Sequence, residues 1–140
     1  IYPLFKSALM ANTAESSLSF NNTTAGPYVA LIDNGAQTYN VTHQYWSHVS
    51  AAAVGPANGM NLGSPTTGAT AGTFDAADVT FATVAGTVTV ESLIIYRHNS
   101  GAASTWMLVC YLDTGITGLT LTTNGGDVTL TWATDGIFAL

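Results

Sequence analysis

Charge is nearly missing from this chain. Only 7% of its residues are charged, against about a quarter in ordinary soluble domains. Two of them are basic, Lys6 and Arg97, which excludes the clustered Lys and Arg of a nucleic-acid surface. Cysteine is as scarce. The single Cys110 cannot form an internal disulfide, and its place in the apolar run "WMLVCYL" reads as a buried, inert thiol. No apolar run is long enough to span a membrane, and no signal-peptide pattern opens the sequence. Without a secretory signal, the N-x-S/T sequons at Asn21, Asn22 and Asn40 read as chance matches in a threonine-rich chain.

What remains is apolar or neutral. Hydrophobic residues make up 47% of the 140, and the net charge is -6. The length is that of one domain, residues 1–140, and suffices to bury about two-thirds of the unfolded surface without a staple. Its polar surface must be built from Thr, Ser, Asn and backbone. A free-living enzyme keeps itself soluble with charge, whereas interface cores are depleted in Lys, Glu and Asp in this way. The composition points to a component of an assembly.

Along the chain, "PLFKSALM" is the helical candidate. Pro3 suits the first helical position, and Leu4, Phe5, Ala8 and Leu9 share a face. "ANTAESS" then reads as a loop, so residues 1–24 form a helix and arm. "YVALID" is a buried strand stopped by Asn34-Gly35. In "TYNVTHQYWSHVS", Thr42 is placed to cap a short helical turn. Residues 51–72, rich in Gly, Ala, Pro and Thr, predict a long irregular loop. The pattern then turns plainly β. "DVTFATV", "TVTVESLIIYRH", "TWMLVCYLD", "LTLTT", "DVTLTWA" and "GIFAL" predict strands, the second running apolar enough to be covered on both faces. Asn124-Gly125-Gly126 predicts a hairpin, and Leu140 is expected to be packed. Together these give an all-β fold, an antiparallel β-sandwich of jelly-roll type with a short N-terminal helix.

Chemistry finds little footing. His43 and His48 are five apart, which is not the helical ligand spacing, and no Glu lies between them. Asp33 and Asp75 can join them only through the fold, and structural zinc normally announces itself with Cys/His pairs. His98, in "YRHNSG", reads as a solvated loop residue. No G-x-S-x-G elbow supports a serine nucleophile. Asp75 and Asp78 in "TFDAADVTF" read as a turn cap or solvated corner. "GATAGT" lacks the Lys of a phosphate loop. No catalytic residue, metal site or cofactor is expected. Sugar stacking is the remaining binding alternative. Trp132 alternates in phase with Val128 and Leu130 and Trp106 opens a nearly continuous apolar strand, so both read as core residues, which leaves Tyr45 and Trp46 as its candidates.

The succession "YVALID", "TYNVTHQYWSHV", "FDAADVTF", "SLIIYRHNSG", "LVCYLDTG" and "GDVTLTWATDGIFAL" resembles a group of small structural proteins of tailed bacteriophages, the capsid decoration (cement) proteins and related head and tail components. The resemblance spans Tyr28 to Leu140 and rests on hydrophobic and turn patterns. Two departures touch its loops. Relatives carry a Gly-Tyr-x-x-Gly-Gly type of segment where this chain has "GPANGMNLG", and "YRHN" stands for a Tyr-Lys-Asp type of ending. The resemblance implies a non-enzymatic virion protein on the outer surface of the head, bound to the major capsid protein and to itself as a homotrimer, made in the host cytoplasm. A carbohydrate-binding module of a head or tail fibre is the alternative, and a hydrolase the third.

Within that reading, Tyr39, His43, Tyr45, Trp46 and Val49 form an aromatic plug at one end of the sandwich, His43 satisfying a buried backbone group. The apolar residues that the strand pattern does not use are the expected partner contacts: Ile1, Tyr2, Leu4, Phe5 and Leu9 near the start, Met60 and Leu62 in the loop. An initiator Met is not normally trimmed before so large a residue as Ile1, so residues of the gene product are expected to precede it.

Overall fold

Two apolar runs, "PYVALI" and "SLIIYR", lie at the middle of a computed structural model that describes residues 1–11, 26–68 and 72–140. The sequons at Asn21 and Asn22, most of "ANTAESS" and the middle of "GATAGT" lie outside the described residues. In chain order, helix α1 (Pro3–Ala11) is followed by strands β1 (Pro27–Ile32), β2 (Ala53–Val54), β3 (Met60–Asn61), β4 (Thr66–Gly68), β5 (Thr73–Asp75) and β6 (Val79–Phe81). Then come β7 (Thr89–Val90), β8 (Ser92–Arg97), β9 (Leu108–Leu112), β10 (Leu121–Thr122), β11 (Val128–Leu130) and β12 (Phe138–Ala139). Every pairing is antiparallel. The fold is all-β and sandwich-like, with one short N-terminal helix, as the sequence pattern requires.

The central sheet has β1 paired with β8 over six positions, Pro27 opposite Arg97 through Ile32 opposite Ser92, and β9 beyond β8. β8 is buried from Ser92 to Tyr96 without a break, which demands cover on both faces. The same core takes in Tyr2, Phe5 and Ala8 from the N-terminal segment and Phe74, Val79, Phe81 and Val90 from the smaller sheets. The N-terminal segment is also tied by its backbone, Tyr2 N–H donating to Val109 O at 3.0 Å.

The segment 51–72, expected to be irregular, is instead stitched down by three short strands. β2 and β3 lie end to end on the outer edge of β1, Val54 opposite Leu31 and Met60 opposite Val29. β4 pairs with β5, whose other neighbour is β12. Gly59 makes the close approach possible. Its φ is +60°, and a Cβ there would stand 2.3 Å from Val29 O, so no other residue fits.

The predicted hairpin at Asn124-Gly125-Gly126 does not form. β10 pairs with β7 and β11 with β6. Between them Val84 N–H donates to Gly126 O (2.9 Å), Gly125 N–H to Val84 O (3.0 Å) and Thr123 N–H to Val88 O (2.9 Å). Residues 121–130 therefore run on through the turn signal against 79–90, as one kinked ribbon. Side-chain matching explains the choice. Val128 faces Phe81, Leu130 faces Val79, Leu121 faces Val90, and Thr129 meets Thr80 with their hydroxyls 2.9 Å apart. Such like-with-like cross-strand pairs stabilise a sheet more than a local turn preference does. Gly125, at φ +87°, supplies the bend. Thr123, 4% exposed, holds it. Its hydroxyl accepts from Val88 N–H at 3.1 Å and lies within donating reach of Ala85 O and Val88 O.

Two further expectations are corrected at the C-terminal end. β11 stops at Leu130, so Trp132 is not a core strand residue but a half-buried one. Leu140 is 59% exposed and is held by its backbone, N–H to Gly72 O at 3.2 Å, not by its side chain.

Candidate functional site

The stretch 38–50 meets the edge of the central sheet through backbone contacts. Tyr45 bridges Met107, Trp46 N–H donates to Trp106 O, and Leu108 N–H donates to Gln44 O, both at 2.8 Å. The short 3-10 turn Trp46–His48 then carries the Trp46 ring inward. There it stacks on Tyr96, centroids 4.4 Å apart and planes at 14°, and Tyr96 stacks in turn on Trp106 at 6.0 Å. Trp46 is 1% exposed, so it offers no face to a sugar, and the proposed Tyr45–Trp46 platform keeps only a half-buried Tyr45. Burial pushes the Tyr96 phenol above its ordinary pKa, and its hydroxyl donates to Asn58 O.

Val49, 2% exposed, joins Trp46 in the core, while Thr42 and Tyr39 depart from expectation. Thr42 does not cap the turn, which begins at Trp46; its N–H and hydroxyl both donate to Asn40 Oδ1, at 2.9 and 2.8 Å. Asn40 favours its own local turn over the helix, as Asn commonly does. Tyr39 is 40% exposed and packs against Tyr2 (5.3 Å) and Tyr111 (5.2 Å). Tyr2 is fully buried, its hydroxyl without a partner among the described residues, and burial raises its pKa. Cys110 is a free, buried thiol whose pKa burial also raises.

The histidines form no ligand set. His43 and His48 stand edge to face at 6.0 Å. His43 Nε2 is 3.2 Å from the Gln37 amide nitrogen, not on a backbone group as expected, and its Nδ1 has no partner among the described residues. Burial, then the neighbouring His48, lowers its pKa. His98 is not a solvated loop residue. It is half-buried, stacked on Tyr28 at 4.5 Å and set over Trp106 at 4.1 Å, because β8 carries it beside these rings. Among the described residues no three of His, Cys, Asp and Glu come together as a metal site. Asp75 caps its own turn, accepting from Ala76 N–H at 2.9 Å. Asp78 accepts from Trp132 N–H at 3.0 Å.

The side chains assigned to partners are largely used within the chain. Tyr2 (0% exposed), Phe5 (1%) and Leu62 (1%) belong to the core, and Ile1, Leu9 and Met60 pack against it. Leu4 is half-buried. The N-terminal segment is a docked cap, and β3 draws Leu62 inward through Leu62 N–H to Pro27 O at 2.9 Å. Among the described residues, the exposed large apolar side chains are Met10, Tyr39, Val41 and Leu140.

A further surface feature was not visible in the sequence. Residues 113–120 form a strap over the kinked ribbon, flanked by two hollows of about 540 and 320 Å3 that share Ile116, Thr117, Thr129 and Leu130. Ile116 and Leu119 pack on the core, while Gly115 and Gly118, both at positive φ, have open space around them. Trp132 lines the larger hollow, where its indole N–H donates to Ala77 O at 3.2 Å. Neither hollow contains Lys, Arg or His, and the larger has no carboxylate. The larger hollow is therefore a neutral, half-apolar surface, and the smaller adds one carboxylate, Asp127. Compared with known proteins, the chain matches no family model and no curated sequence.

Proposed function

We propose that this chain is a non-enzymatic structural protein of a tailed-phage virion, a decoration protein on the outer surface of the head. The observation that carries the reading is the succession of motifs from Tyr28 to Leu140 that resembles those proteins. Two features support it. The surface is nearly free of charge, as suits a protein covered by neighbours. Five of the eight acidic side chains, Asp33, Asp75, Asp78, Glu91 and Asp127, accept main-chain N–H groups. They hold turns and strand joints, so they are poor candidates for acid–base work.

In this reading the partners are the major capsid protein and other copies of the chain, as a closed trimer. With Tyr2, Phe5 and Leu62 engaged in the core, the contacts fall to the exposed Met10, Tyr39, Val41 and Leu140. The purified protein is mixed with heads lacking it, and the particles are sedimented and imaged. Regular density on the outer surface is the expected result. Heads that stay bare at saturating protein, or turnover of any substrate that one Ser, Asp or His substitution abolishes, would overturn the reading. Light scattering at micromolar concentration should give three times the chain mass.

A further inference from the structure

We propose that the larger hollow beside the strap 113–120 is a binding site for a neutral saccharide, with the Trp132 indole as its stacking face. The site stands apart from the virion reading and holds for the free protein. Neutrality comes first. No charged side chain lines the hollow, so neither an anion nor a cation finds a counter-charge there. Its volume of about 540 Å3 lies within the range of small-molecule sites.

The ring is held in advance of any ligand. Trp132 N–H donates to Asp78 Oδ1 at 3.0 Å, and the indole N–H donates to Ala77 O at 3.2 Å. With its polar edge satisfied, the half-buried indole has only its apolar surface left to offer. Hydroxyls stand beside it. Thr114, Thr117 and Thr131 line the hollow and make no hydrogen bond to the protein among the described residues. Thr129 lines it too, but its hydroxyl is already paired with Thr80. A lipid chain would strip water from these hydroxyls with nothing in return. A sugar presents an apolar C–H face to the ring and hydroxyls to the threonines. The strap gives access, because among the described residues no hydrogen bond joins residues 113–120 to the strands beneath, and Ile116 and Leu119 are the strap side chains that pack on the core.

The full chain is screened on an array of neutral and acidic glycans. It is then titrated with neutral trisaccharides of gluco, manno and galacto configuration, following indole fluorescence and backbone amide shifts. At least one neutral glycan should bind saturably, with shifts at residues 114–117 and 129–137. Trp132→Ala should weaken that binding by about tenfold or more. The double variant Thr114→Val/Thr131→Val, at exposed positions, should weaken it several-fold and carries the test if Trp132→Ala fails to fold. An array without saturable binding, a preference for acidic glycans, or binding untouched by these variants would each overturn the proposal.

Discussion

Replacing Thr123 by Val keeps the shape of the side chain and removes only its hydroxyl, so no cavity enters the reckoning. At this position the hydroxyl accepts from Val88 N–H at 3.1 Å and reaches Ala85 O and Val88 O across the kink. Thr123 is 4% exposed, so water cannot easily take its place beside Val88. Ala85 is exposed and can turn its carbonyl to solvent. One buried N–H is thus left unpaired, at a cost of about 1–2 kcal/mol. For a chain of this size that lowers the thermal midpoint by about 3–7 °C. Thr122→Val, one residue earlier on the exposed side of the same strand, should leave the midpoint within about 2 °C, since surface changes of this kind are small. Scanning calorimetry reads both, and hydrogen exchange should show the Val88 amide losing protection in Thr123→Val alone. If the two variants melt together, the hydroxyl does not hold the kink, and Gly125 alone shapes it.

Truncating Trp46 to Ala empties the stack on Tyr96 and should cost about 3–5 kcal/mol, seen as a much lower denaturant midpoint. Gly59→Ala should destabilise by more than the roughly 1 kcal/mol of left-handed strain, because its methyl would meet the Val29 carbonyl; chemical denaturation checks this. Absorbance at 295 nm should show Tyr2 and Tyr96 ionising after exposed tyrosines, their pKa values being raised by burial. Protonated in the fold while the unfolded chain ionises near pH 10, they contribute stability that is full below that pH and is lost above it as the pH rises toward their raised folded values. His43 shifts the other way. Its lowered pKa means the unfolded chain takes up a proton first, so stability falls as pH drops below about 6.5, and its NMR titration midpoint should lie below that of a model histidine.

Strands with strong composition were legible. "SLIIYR" announces a doubly covered strand because five apolar or small residues in succession can be buried only that way. "YVALID" and the alternating threonine strands follow from the same logic. β2, β3 and β4 were hidden, because two or three residues of Ala, Val, Met, Asn or Thr become strands only when β1 or β5 lies beside them. Asn124-Gly125-Gly126 misled for a related reason: a turn preference is local, while the partner that won lies 31–51 residues upstream. At the site, the inward Trp46 was foreseeable from its company. Trp132 was not, since the strand phase that assigned it to the core ends two residues before it. The strap's role depends on what it covers, and "DTGITGLT" by itself reads only as a turn-rich boundary.

The long outer strands of the central sheet, β1 and β9, are both met on their outer sides by short pieces of the chain itself. β2 and β3 cover the outer side of β1, while Gln44, Tyr45, Trp46 and Tyr2 run along β9. Open edges are where crowded proteins join strand to strand and polymerise without limit. A protein gathered at high local density on any surface is exposed to that hazard, and a chain this poor in repelling charge has little else to hold its copies apart. Edge strands of two residues, such as β2 and β3, offer little ladder to a neighbour and favour meeting through side chains, in contacts that can be selected for geometry and can come apart again.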